Sequence, residues 1–312
     1  MARKADAEIH GLLVLDKPAG WTSHDVVARV RRLTTVRRVG HAGTLDPLAT
    51  GLLVLGIGQG TRVLEYATDA DKRYSATLRL GISTDTYDAD GAVIRTRSWQ
   101  QIPEAAVRAT LTTFLGEIQQ RPPAYSAIKQ GGVPLHRLAR AGQAVELPPR
   151  NVTIYEIEVR RIQLPEVELD VHCAKGTYIR SLAHDLGELL GCGAHLTALR
   201  RTASGGIMLA QALTLADWEA ALADGSWPAR LLPLDAPLAG QPALVLGTAE
   251  ARRLLDGVAP AHAGAAPGTL ARAYSGSGLF LGILRATGVD PGWEVEKVLL
   301  GRVSAAPASE NS

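Results

Sequence analysis

Cysteine is nearly absent: the chain has two, Cys173 and Cys192, in 312 residues. That excludes a disulfide-stapled framework and fits a reducing compartment. Long apolar runs are missing as well. The longest nearly apolar stretch, Leu48 to Gly58, is interrupted by Thr50 and three glycines, whereas a bilayer-spanning helix needs about 20 residues. The N-terminal MARKADAEIHG mixes charges and has no apolar core, so it does not read as a secretory signal. Excess charge of one sign is also lacking, with 33 Lys+Arg against 31 Asp+Glu. No repeat of solenoid length is visible. With 46% hydrophobic and 21% charged residues, the composition excludes a disordered chain and supports a sizeable core. The expectation is a soluble, cytoplasmic protein of roughly two domains.

The even charge balance hides local asymmetry. Arg29, Arg31, Arg32, Arg37 and Arg38 crowd one short stretch, and residues 121–150 carry Arg121, Lys129, Arg137, Arg140 and Arg150 against Glu146 alone. Each cluster could be a solvated face, and becomes a phosphate contact only where it lines a groove.

Periodicity predicts a buried strand at 9–15 and a helix at 24–33 with Val26, Val27, Val30 and Leu33 on one face and Ser23 as its cap. Residues 72–82 alternate, with Tyr74, Ala76, Leu78 and Leu80 inward and Arg73, Ser75, Thr77 and Arg79 outward. Asp90-Gly91 marks a turn. Pro103 opens a helix running through Val107, Leu111 and Leu115 to Gly116. Residues 121–150, rich in proline and glycine, read as an insert. Strands follow at 152–162 and 167–174, then a helix at 179–190 with Ile179, Leu182, Leu186 and Leu189 as its stripe. Beyond about residue 230 come a short helix capped by Thr248 and ended by Gly257, a loop at 259–268 and a strand at 279–285; the tail from 305 reads as disordered. Trp293 and Phe280 read as core residues of this part. The fold class is α+β: a mixed, mostly antiparallel sheet with flanking helices, followed by a small β-rich domain. The expected division is 1–235, with the insert at about 121–150, and 236–304.

The densest chemical candidate is Gly40-His41-Ala42-Gly43-Thr44-Leu45-Asp46-Pro47-Leu48-Ala49-Thr50-Gly51. It is too punctuated for a helix. Asp46-Pro47 favours extended backbone at the carboxylate, and the glycines permit close approach of a ligand. On residues alone, Asp46 could equally be a turn residue and Tyr74 a core aromatic.

GHAGTLDPLATGLL resembles the catalytic motif of the bacterial tRNA pseudouridine-55 synthases, the TruB family. LDKPAGWTSHDVV, DKRYSATLRLGISTDTYDADG, PPAYSAIKQGG and KGTYIRSLAHDLGELLGCGAHLTALRRTASG resemble that family's further blocks, in its order. The resemblance is strong over about 9–215; residues 240–303 are more weakly similar to its PUA-like RNA-binding tail. It implies an isomerase that detaches a T-loop uridine of tRNA at N1–C1′ and rejoins it through C5. No cofactor or metal is implied. The partner is the T arm of tRNA, and the enzyme is expected to be a monomer without membrane attachment. The resemblance makes Asp46 the nucleophile, attacking C6 or C1′ or assisting a glycal route. Tyr74 would stack on the flipped base and help remove the C5 proton. Arg180 would pair with Asp46, orienting it and keeping it ionised. It further implies that His41, Tyr178 and Leu199 contact substrate, that Lys17 lies near the site with an orienting role, and that Asp88 joins the polar network. The insert resembles the family's thumb, in which Lys129 and Arg137 would meet phosphates. Replacing both is expected to weaken tRNA binding and flatten its salt slope.

Two rivals stand beside this reading: a tRNA-binding folding factor with dispensable catalysis, and a relative acting on a different RNA. Other pseudouridine synthases show a G-R-L-D type motif where this chain has Gly43-Thr44-Leu45-Asp46, which favours the TruB branch. Three further patterns are weaker. GIGQG (56–60) lacks the spacing and following helix of a nucleotide-binding loop. His172-Cys173 with Cys192 and His195 could be drawn as a zinc site, but adjacent strand residues point to opposite faces. HDLGE (184–188) is explained by helical surface charge.

Overall fold

A computed structural model describes residues 9–123, 148–261, 265–289 and 292–299, together with the backbone of 129–130 and 133–134. No helix among the described residues is long and apolar enough to cross a membrane. A ten-stranded sheet forms the body. Its path begins at β14 (Leu213–Thr214), β1 (Gly11–Lys17), β3 (Thr50–Ile57) and β12 (Ala194–Ser204). It continues through β4 (Lys72–Leu80), β11 (Glu166–Cys173), β10 (Arg150–Gln163) and β7 (Gly116–Gln120). Strand β2 (Val39–Ala42) pairs with β3, and β13 (Ile207–Met208) with β12. Only the β1–β14 and β3–β12 pairs are parallel, so the sheet is mixed and mostly antiparallel, as expected.

The central strands are apolar throughout because both their faces are covered. Leu13, Leu15, Leu53 and Leu55 face one core. There they meet Val26, Val27 and Val30 of α1 (Ser23–Thr34), Val107 and Leu111 of α3 (Glu104–Thr112), and Ile179, Leu182 and Leu186 of α4 (Ile179–Leu189). Leu12, Val14, Leu52 and Val54 face a second core. It is closed by Leu64 and Ala67 of α2 (Leu64–Asp69) and by Phe280, Ile283 and Leu299 from the C-terminal part. That part builds its own sheet, β15 (Ala243–Leu246), β16 (Leu270–Ser275), β17 (Phe280–Ala286) and β18 (Trp293–Val298), around Leu254, Leu284 and Trp293.

Several local expectations need correction. The cap of α1 is Thr22, not Ser23: Thr22 Oγ1 accepts from Asp25 N at 3.1 Å while Asp25 Oδ2 accepts from Thr22 N at 2.8 Å. Gly247, not Thr248, precedes the helix Thr248–Leu255. Helix α3 ends at Thr112, leaving Leu115 exposed, because Gly116 at φ 85° already turns into β7. Leu189 closes α4 in solvent rather than in the apolar stripe. The strand near 279 begins at Phe280.

GIGQG has a packing explanation. It is the end of β3 running into a 3-10 turn, Gly58–Arg62, and a Cβ on Gly60 would lie 2.1 Å from the Gly11 carbonyl oxygen. His172 and Cys173 do point apart: the imidazole stacks at a tilt on Tyr155, and the thiol is buried in the first core.

Candidate active site

The segment between β2 and β3 is pinned from three sides. From α1, the Ser23 hydroxyl accepts from Leu45 N at 2.9 Å and donates to Leu45 O at 3.2 Å. From the end of β1, Lys17 Nζ donates to Pro18 O (2.8 Å), Trp21 O (2.6 Å) and Pro47 O (3.4 Å), and Gly20 N donates to Pro47 O at 2.8 Å. From β12, Arg201 donates through Nε to Leu52 O (2.7 Å) and through Nη2 to Gly43 O (3.0 Å). Gly43 turns at φ 70°, where a side chain would be strained. The result is one rigid loop that presents Asp46 at the wall of a cavity of about 570 Å³.

Helix α4 brings the partner. Its N-terminus is fixed by Gln120 of β7, whose side chain accepts from Tyr178 N at 2.8 Å and donates to Tyr178 O at 3.0 Å. Arg180 then forks onto Asp46: Nε lies 3.0 Å from Oδ2 and Nη2 donates to Oδ1 at 3.1 Å. The third nitrogen, Nη1, donates to Thr86 O at 3.1 Å and lies 3.4 Å from Asp88 Oδ2. A planar guanidinium hydrogen-bonded through both Nη groups, with Nε in ion-pair contact, is restricted in rotation and so sets the direction of the carboxylate it holds. Burial pushes the Asp46 carboxyl above its ordinary range, and the Arg180 charge pulls it back.

Tyr74 completes the wall. It faces Arg201 across the β4–β12 pairing, and burial raises its phenol above the usual range.

The structure brings Asp46, Tyr74, Tyr178, Arg180 and Leu199 to this one cavity. Lys17, Asp88 and His41 are not among the residues that line it. Lys17 is wholly buried with its ammonium on carbonyl oxygens and its pKa lowered by burial to about 8, so it holds the loop and does not face a substrate. Asp88 is buried behind Arg180 rather than on the cavity wall. His41 lies outside the wall, edge-on to His24 at 5.2 Å; burial lowers its pKa to about 4, so it is neutral at pH 7. The side chain of Lys129, and Arg137 entirely, lie outside the described residues.

Residue-by-residue reading overlooked Arg201, Lys72, Gln120 and the loop-holding role of Ser23. A signal existed for two of them. Arg201 shares the inward face of β12 with Leu199 and Ala203, and Lys72 shares that of β4 with Tyr74 and Ala76. A cation at a core-facing strand position must find carbonyls or an anion, and Lys72 Nζ does so on Ala67, Thr68 and Ala70. A larger groove of about 930 Å³ adjoins across Leu199, and both of its arginines are held by carboxylates, Arg200 by Asp16 at 2.6 Å and Arg160 by Asp170 at 2.6 Å.

A fork-held aspartate beside an aromatic ring thus lines an open cavity on a mixed sheet. A solved H/ACA RNP bound to a substrate RNA containing 2'-deoxyuridine includes a chain that matches this fold with a TM-score of 0.74 at 27% identity, over 96% of this chain and 88% of that one. The TruB family pseudouridylate synthase N-terminal domain matches residues 31–179, and the tRNA pseudouridylate synthase B C-terminal domain matches 180–239. A Burkholderia pseudomallei (strain 668) protein named tRNA pseudouridine synthase B is 48% identical over 293 residues, covering 92% of this chain and 95% of that one. An Opitutus terrae protein of the same name is 52% identical over 208 residues, 67% of this chain and 86% of that one. The chain belongs to the TruB family of pseudouridylate synthases, which are isomerases.

Proposed function

We propose that this enzyme converts uridine-55 in the T loop of tRNA to pseudouridine, with Asp46 as the nucleophile. The observation that carries the reading is the two-point Arg180–Asp46 pair in a cavity walled by Tyr74. The reaction breaks one C–N bond and forms one C–C bond. N1 ends with a proton, and the proton on C5 leaves for solvent. No redox partner enters the balance. Whether the aspartate adds to C6, displaces the base at C1′ or assists a glycal route, it needs an ionised oxygen aimed at the nucleoside. Arg180 supplies both conditions, charge and aim.

The target base is stacked inside a folded loop and must be flipped out, which costs a few kcal/mol. Tyr74 offers the flipped ring a stacking surface. Exposed Arg150, on the cavity rim, offers the backbone a cation. The second sheet supports a division into a catalytic unit, 1–235, and a PUA-like RNA-binding unit, 236–304, in a monomer that grips the T arm.

The test uses an unmodified tRNA transcript with tritium at C5 of its uridines. Wild type should release tritium stoichiometrically with tRNA, mapping to position 55, while Asp46→Asn binds tRNA and releases none. A folded wild-type protein that binds tRNA without release would overturn the reading in favour of a folding factor.

A further inference from the structure

Tyr87 is one of two described non-glycine residues with positive φ, at 65°. A bulky side chain avoids this region, and such a conformation persists only where its surroundings enforce it. Here the enforcing contact is visible. The Tyr87 ring stacks on the His184 imidazole with centroids 3.9 Å apart and planes 11° apart.

The position of that stack matters. His184 lies one helical turn after Arg180 on α4, so both side chains leave the same face. The segment 86–88 is therefore gripped twice by one helix. Arg180 takes Thr86 O and the Asp88 carboxylate, and His184 takes the ring of the residue between them. The opposite edge of the segment is tied to β12: Leu196 N donates to Tyr87 O at 2.9 Å and Ala89 N donates to Leu196 O at 2.9 Å. Within it, Thr86 Oγ1 donates to Asp88 Oδ1 at 2.5 Å.

We propose that the Tyr87–His184 stack is a positioning device for the isomerisation. It sets the height of residues 86–88 over α4, which fixes the two acceptors that orient Arg180, and so fixes the direction of the Asp46 carboxylate. This rests on the reading of Asp46 as the nucleophile. Neither ring lines the Asp46 cavity, so both act only through Arg180.

The experiment measures single-turnover tritium release at saturating enzyme, tRNA affinity and thermal melting. Tyr87→Asn removes the ring while keeping a residue that tolerates positive φ. It should slow release by about 10- to 100-fold, the scale of a small misplacement of a reacting group. Its tRNA Kd should stay within about twofold of wild type, because Tyr87 does not line the Asp46 cavity. Tyr87→Phe, which keeps the ring, should restore the rate. His184→Ala should reproduce the loss, and the double variant should be no slower than either single one. Should Tyr87→Asn fail to fold, His184→Phe against His184→Ala carries the same comparison.

Wild-type release by Tyr87→Asn, a loss expressed in Kd alone, or losses that multiply in the double variant would overturn the proposal. Wild type and Asp46→Asn run alongside. If Asp46→Asn also releases tritium, the nucleophile reading fails; if only Tyr87→Asn does, this inference alone fails.

Discussion

The Arg201 guanidinium and the Gly43 carbonyl meet at 3.0 Å beneath the Asp46 loop, and the same side chain reaches Leu52 O at 2.7 Å. One buried cation thus ties the first residue of the loop to the strand that follows it. Arg201→Ala leaves a cavity and strips two carbonyls of a charged donor, so it should lower stability by about 3 kcal/mol. Gly43→Ala places a Cβ 3.1 Å from Arg201 Nη1 at φ 70° and should lower it by about 1–2 kcal/mol. Urea unfolding checks both; equal stability of Arg201→Ala and wild type would show that the tie holds nothing.

Arg180→Lys keeps the charge and loses the fork. A single ammonium cannot span both Asp46 oxygens while also serving Thr86 O and Asp88. The single-turnover rate constant should fall by about 100-fold or more, with tRNA affinity little changed, since loss of aim is a loss in the chemical step. A fall confined to affinity would place Arg180 in RNA binding instead.

The rate should also report the state of Asp46. Its pKa is raised from 3.8, first by burial and then by Asp88, against the pull of Arg180. Only the ionised form is competent, so activity should be lost as pH falls through the raised value. The acid limb of kcat/KM should therefore lie above the ordinary aspartate range. A limb at or below 3.8 would mean that Arg180 outweighs desolvation.

How much of this was legible beforehand depends on where each bond partner sits. Asp46, Tyr74, Tyr178, Arg180 and Leu199 belong to motif blocks whose residue types match the chemistry, and they share one cavity. The inward alternation of β4 placed Tyr74 on the correct face. Lys17, Arg201 and Lys72 differ because their partners are main-chain carbonyls, which carry no residue identity. Which carbonyl a buried cation meets follows from the pairing of distant strands, as where Arg201 lies opposite Tyr74. Ser23 and Thr22 show the same limit at short range. Both are good cap residues, and only the docking of the Asp46 loop decides that Thr22 caps the helix while Ser23 holds Leu45.

The docking of the C-terminal sheet is open to test through Phe280, which is buried in the same cluster as Leu12, Val14, Leu52 and Val54 of the large sheet. Polar ties reinforce that contact: Arg62 Nη1 donates to Val298 O at 2.7 Å, and Lys297 pairs with Glu65. Because Phe280 fills a core built from both parts, truncating it removes support from the large sheet as well as its own. Phe280→Ala should lower stability by about 3–5 kcal/mol. The loss should appear as one cooperative transition with a lower midpoint, seen alike by calorimetry and by Trp fluorescence. An early, separate transition would mean that the C-terminal sheet folds on its own and leaves the catalytic sheet intact.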